Sequence, residues 1–333
     1  MKTAQNKTGE TAGGRRPCLR SPLVPVIFLF FLLLPSCRTA PPVSPMPREA
    51  VSIPLEPGGI IYMFIDVQHA RPIMDSLSFR GMDTEDRNFR RILDSTSYAL
   101  AAVYEAREGE PAGTRFRLVA HGVYPSGRAR MAMRCSRHWR GQRSGATGDR
   151  YWHSPAAMLS MSITRNEAFL TTSLYGASVD PFYVGPGTNI PEGFNEFRRG
   201  AVVSLWLENP AAFINQRLME MHIPLEIPAE QFFANVLPAP NAPSPSEPLY
   251  EVYLRIQVAS PLQAMGLAFA LSAARMFVSP AALGDPADGG NFAATLMSLL
   301  LANPAAADGR HLGIRTDPMT AGEISLLLGQ FAF

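Results

Sequence analysis

Eight arginines (Arg115, Arg117, Arg128, Arg130, Arg134, Arg137, Arg140 and Arg143) lie between Pro111 and Gly148, with no aspartate or glutamate among them. His121 and His138 fall in the same stretch. A guanidinium group presents planar, paired N–H donors that match the oxygens of a phosphate or carboxylate. A helix is expected near 127–140, and it would carry Arg128, Arg130, Arg134, Arg137 and Arg140. At 3.6 residues per turn, Arg130, Arg134 and Arg137 would follow one side of it. These five are the candidate binding residues, with anionic headgroups, an anionic glycan or an acidic protein as partner. The competing reading is a solvated helix face whose arginines pair with carboxylates from elsewhere in the chain.

Other chemistry is excluded by residue type. Lys2 and Lys7 are the only lysines, so the chain beyond them has no phosphate-loop lysine, Schiff-base lysine or Ser-Lys dyad. No G-x-S-x-G, H-E-x-x-H or C-x-x-C motif occurs, and no two histidines stand four apart on one helix. Asp149, His153 and Ser154 are close in GDRYWHSP. Catalytic triads are assembled from distant segments, so this proximity carries little weight. No catalytic residue, metal or diffusible cofactor is expected, and enzymatic activity is disfavoured. Cys135, beside methionines, is expected to be buried.

The N-terminus has three parts. Lys2, Lys7, Arg15, Arg16 and Arg20 stand against Glu10, followed by the apolar run Leu23–Leu34, and the run ends in Leu34-Pro35-Ser36-Cys37. Twelve apolar residues fall short of the roughly 20 that span a bilayer, so the run is read as the core of an export signal. Leu34 to Cys37 resembles the lipobox of bacterial lipoproteins, cleaved by the lipoprotein signal peptidase. The resemblance covers the signal alone. It implies removal of residues 1–36, a covalent diacylglyceryl and N-acyl lipid on Cys37, and anchoring to the periplasmic face or outer membrane. From Arg38 onward, 25 arginines face 27 carboxylates, a net charge of −2 that argues against nucleic acid as partner.

Residues 37–57 carry six prolines (Pro41, Pro42, Pro45, Pro47, Pro54 and Pro57) and read as an extended tether of up to ~60 Å. Beyond it, two halves follow one pattern. In 58–175, the strand 59–66 and a helical stretch through Leu77 are followed by the strand 115–124 and the arginine-bearing helix. In 200–333, the strand 200–207 and a helix opened by Asn209-Pro210 are followed by the strand 250–258 and an apolar helix over 262–278. That last helix is expected in the core, with a lipid or apolar ligand as the alternative contact. Leu159, Met161 and Ile163 alternate with Ser160, Ser162 and Thr164, a strand with one buried face. Residues 176–199 connect the halves, and Pro238–Pro248 forms an excursion with five prolines. An apolar helix is expected over Phe292–Ala302. Thr320-x-x-Glu323 reads as a capping box before Ile324–Leu328, although alternation through Leu327, Gly329, Phe331 and Phe333 also permits a strand. The expected class is α+β with internal duplication, mixed or antiparallel sheets, and helices on one side. The expected role is non-enzymatic binding or scaffolding in the cell envelope. A carrier for a lipid or apolar ligand is the alternative, and a hydrolase without recognisable motif the third.

Overall fold

The computed structural model describes residues 55, 58–76, 93–104, 115–172, 178–182, 192–211, 215, 219, 226–240, 247–277 and 299–331. Cys37, the export signal, Leu77, and most of the tether, of the Pro238–Pro248 excursion, of the helix after Pro210 and of Phe292–Ala302 lie outside these residues.

Apolar residues at period two build the strands. They are β1 (Gly59–Asp66), β2 (Thr96–Tyr104), β3 (Arg115–Gly122), β4 (Arg140–Arg143), β5 (Arg150–Ser154), β6 (Leu159–Ile163) and β7 (Glu167–Thr172). They continue with β8 (Val203–Glu208), β9 (Gln231–Pro238), β10 (Leu249–Gln257), β11 (Ala305–Asp308), β12 (His311–Arg315) and β13 (Met319–Thr320). Twelve of them form one sheet in the order β11-β12-β10-β9-β8-β1-β2-β3-β7-β6-β5-β4, and β13 pairs with β10. Among the described residues every pairing is antiparallel, one of the two sheet types expected.

The helices are α1 (Arg71–Ser76), α2 (Ser126–Cys135), α3 (Glu192–Phe197), α4 (Pro261–Phe277) and α5 (Ala321–Phe331). One sheet face is covered by α1, α4 and α5 over β8–β10 and β12, where Phe232, Leu254, Ile256 and Ile324 are buried. The same face is covered by α2 over β3 and β5–β7. The other face holds an aromatic cluster of Tyr62, Phe64, Tyr98, Trp206 and Phe233, closed by Phe194 of α3. Thus α3 breaks the expectation of helices on one side only. Burial of each such ring is worth about 1.5–3 kcal/mol, enough to hold a short helix against the sheet.

Local chemistry explains the ends of these elements. Thr320 Oγ1 accepts from the Glu323 N–H at 3.3 Å, and the Glu323 carboxylate accepts from the Thr320 N–H at 2.7 Å. That reciprocal cap starts α5 as a helix and excludes the strand reading of this segment. Gly122 lies where a Cβ would stand 1.9 Å from the Ser95 carbonyl oxygen, beside the irregular β2–β3 register at Thr96.

Four expectations are corrected. Leu55, expected within the tether, is fully buried in the aromatic cluster. Ser160 and Ser162 are as buried as their apolar neighbours, because the chain at 178–182 returns over them and Val179 N–H donates to Ser160 Oγ. Cys135 is exposed at the end of α2. Helix α4 buries Ala264, Leu267 and Leu271 but exposes Leu262, Met265, Phe269 and Met276, so only one side of it belongs to the core.

Candidate anion-binding site

Ala129 and Met133, four apart, are the buried positions of α2 and pack towards Leu159, Met161 and Leu170. The arginines of the helix therefore face outward. The helix stops at Cys135 because Ser136 is extended (ψ 134°) and sends the chain towards Trp139, which is buried with Met133 and Trp152. Arg137 consequently lies beyond the helix and Arg140 opens β4. The expected row of Arg130, Arg134 and Arg137 is thus not formed. Arg130 is held by its own bond, Nε donating to the Ile163 carbonyl at 3.1 Å. Arg128 also has a partner. Arg134, Arg137 and Arg140 form no ion pair among the described residues.

A hairpin brings in arginines that are not among the five candidates. Strands β4 and β5 pair Gly141 with Trp152 and Arg143 with Arg150. The turn between them is closed by Ser144 N–H to the Asp149 carbonyl (2.8 Å) and by Gly148 in a left-handed conformation, φ +77°. Ser144 Oγ accepts from the N–H groups of Ala146 and Thr147 and donates to Asp180 at 2.7 Å. On the other strand, Tyr151 Oη donates to Gln142 at 2.9 Å and sits 2.6 Å from Ser178 Oγ. These bonds fix the hairpin. Arg143, Arg150 and Arg134 then surround a cleft of about 410 Å³ whose remaining wall is Trp139, Gly141, Gln142 and Trp152. No carboxylate lines it. The symmetric spacing R-SGATGD-R at 143–150 is the signal that locates the pair, once the segment is recognised as a hairpin.

The other titratable groups are occupied structurally. His153 Nδ1 lies 3.1 Å from the Leu159 carbonyl and 3.3 Å from Ser160 Oγ, and Ser154 falls on the opposite side of β5 by alternation. Asp149 is exposed in the turn, so GDRYWHSP does not converge. A row of ionisable side chains does cross one end of the aromatic face, since the register sets Asp66 beside Tyr98, Tyr98 beside His121 and His121 beside Glu167. His121 stacks on Tyr98 (4.5 Å between centroids), and its Nδ1 is 3.3 Å from Glu167. Burial pushes His121 down to about 4, Tyr98 up to about 12, and Glu167 above the ordinary carboxylate range. Among the described residues no group of three or more His, Cys, Asp or Glu could hold a metal ion. An apolar cavity between the sheet and α5 measures about 50 Å³, far below the 300–1,000 Å³ typical of ligand pockets.

No protein-family model matches the chain. No curated protein resembles it in sequence. Solved structures do resemble it. Crystal form III of TP0453 is 15% identical, with a TM-score of 0.50 over 83% of this chain and 96% of that one. Crystal form IV is 17% identical, with a TM-score of 0.50 over 82% and 93% of the two chains. The fold resembles that of TP0453. At such identity the likeness concerns the fold alone, and it spans nearly the whole of the TP0453 chain.

Proposed function

We propose that this protein is an exported, non-enzymatic envelope lipoprotein, carrying a lipid on Cys37, that rests α4 on the membrane surface. The observation that carries this reading is the outward side of α4. Leu262, Met265, Phe269 and Met276 are 75%, 56%, 77% and 83% exposed, and they recur at intervals of three, four and seven residues along one face. Each such side chain left in water forfeits about 1.5–3 kcal/mol of transfer free energy, so the stripe favours an apolar environment. With 17 residues the helix is shorter than a bilayer span, and among the described residues no helix is long and apolar enough to cross a membrane. It fits a helix lying in the interface, bound through its apolar side as a second contact beside the lipid on Cys37. The small size of the apolar cavity counts against the carrier reading.

The two halves on either side of the β1–β8 seam support an internal duplication. Each runs a three-strand meander (β1-β2-β3 and β8-β9-β10), then a helix (α2 and α4), then strands returning to pair with the third (β7 and β12). In this reading the equivalent helices have specialised, one cationic and one apolar.

Two experiments test the proposal. Cys37→Ala should abolish lipid labelling in cells, and unchanged labelling would refute the anchor. The unacylated chain from Arg38 should bind zwitterionic vesicles in flotation, insensitive to salt. Changing Leu262, Phe269 and Met276 to Gln should remove that binding without lowering the melting temperature. Absence of binding by the unchanged chain would refute the role of α4.

A further inference from the structure

We infer that the cleft between α2 and the β4–β5 hairpin is a binding site for a phosphate group, separate from the apolar face of α4. Arg143 and Arg150 are directly opposed across two antiparallel strands, where Cβ atoms stand about 4.5–5.5 Å apart and like charges repel. Arg134 adds a third guanidinium from the helix. None of the three has an ion-pair partner among the described residues, and no carboxylate lines the cleft. Asp180, the acid bonded to this hairpin, is engaged by Ser144 Oγ and the Gly145 N–H.

Protection of an exposed sheet edge accounts for charges on β4 itself, where Arg140 and Arg143 lie. It does not account for Arg150 on the inner strand or for Arg134 on the helix. What the three share is a cavity of about 410 Å³ that needs negative charge. Three forks arriving from α2, β4 and β5 exceed what one planar carboxylate accepts, whereas a tetrahedral phosphate offers an oxygen to each. Gly141 leaves the space above Trp152 open, since even a Cβ at that position would stand 3.9 Å from the indole nitrogen. The turn and the Tyr151 contacts fix the backbone that carries Arg143 and Arg150. The same chemistry serves a free phosphate monoester and a lipid whose headgroup is a phosphate monoester.

Trp139 and Trp152 line the cleft and are two of three tryptophans in the chain, so their fluorescence reports on it. The full-length protein in neutral detergent would be titrated with inorganic phosphate, pyrophosphate and glucuronate. In parallel it would be titrated with mixed micelles of the same detergent and phosphatidic acid. A saturable fluorescence change with inorganic phosphate or pyrophosphate identifies a soluble phosphate group. A change with the mixed micelles alone identifies a headgroup. Either should weaken at least tenfold in R143Q/R150Q and in R134Q, while R137Q/R140Q, outside the cleft, should bind as the unchanged protein does. R143Q/R150Q should melt no lower than the parent, since the change removes a repulsion. No saturable response to any phosphate probe, an equal response to glucuronate, or an equal loss in R137Q/R140Q would overturn the assignment.

Discussion

Acid should destabilise this protein through His121, and the size of the effect follows from its surroundings. The ring is half-buried between Tyr98 and Glu167, its Nε2 has no hydrogen-bond partner, and burial lowers it from 6.5 to about 4. Between those values the unfolded chain holds a proton that the folded chain does not. The stability linked to neutral His121 is therefore complete above pH 6.5 and lost as pH falls towards 4. A shift of that size corresponds to at most about 3 kcal/mol. Glu167 acts in the opposite sense. Its raised carboxyl binds a proton more tightly when folded, a contribution present below the ordinary carboxylate value and lost as pH rises through the folded one. His121→Phe keeps a ring against Tyr98 and removes the titration. Urea unfolding of both proteins from pH 8 to pH 4 should give a constant difference above pH 6.5. Below it, the parent should lose ground to the variant by about 2–3 kcal/mol. The geometry contains a rival, because Nδ1 is 3.3 Å from Glu167 and an ion pair would raise His121. Burial should win, because Nε2 is buried with no acceptor to serve a second proton and burial also raises Glu167, which weakens its carboxylate as a partner. If the parent instead gains stability on the variant as pH falls through 6.5, that reasoning is wrong.

Three further outcomes are expected. Thr320→Ala removes the cap of α5 and should cost about 1 kcal/mol in chemical denaturation, with no loss marking the cap as dispensable. Gly122→Ala forces a methyl group against the Ser95 carbonyl and should cost about 3 kcal/mol, seen as a lower melting temperature. Cys135 is exposed and should react with an aromatic disulfide reagent in the folded protein within minutes, whereas protection until denaturant is added would place it in the core.

Much of the sheet is legible in the sequence because its period-two pattern is local. The apolar strand 59–66 is read at its observed bounds, the alternating strand 159–164 to within one residue, and 115–124 and 250–258 to within two residues. The strands it does not reveal have other signatures. In β2, apolar Ala99, Ala101 and Val103 fill the positions between Tyr98, Leu100, Ala102 and Tyr104, which blunts the alternation. In β9, Phe232 and Phe233 are adjacent because the strand is covered on both faces. That second cover, α3, sits in a stretch rich in proline and glycine that reads as a loop. The aromatic rings of Phe194 and Trp206, 5.7 Å apart, join segments whose pairing no periodicity announces. The arginine cluster is visible as a composition anomaly, but its geometry is not. Helix α2 ends five residues before 140, where Trp139 is drawn into the core, and cross-strand register alone sets Arg143 against Arg150.

The place where the arginines converge is also where the two sides of the sheet differ. Beyond the β1–β8 seam, one side returns through β11 and β12 and the other through β4, β5, β6 and β7. Among the described residues the hairpin β4–β5 is present on one side alone, and it supplies Arg143 and Arg150. Each outer edge is protected differently. At one end α4 packs against β11 and β12, and its own outer side remains apolar. At the other end β4 is bare, four residues long and arginine-bearing, a sequence that resists pairing with another strand. A bare edge leaves room beside α2, and that room is the cleft. Covering both ends alike would have closed it. The additional hairpin therefore extends the sheet beyond its helix and creates a cationic recess, while the other end presents an apolar helix to its surroundings.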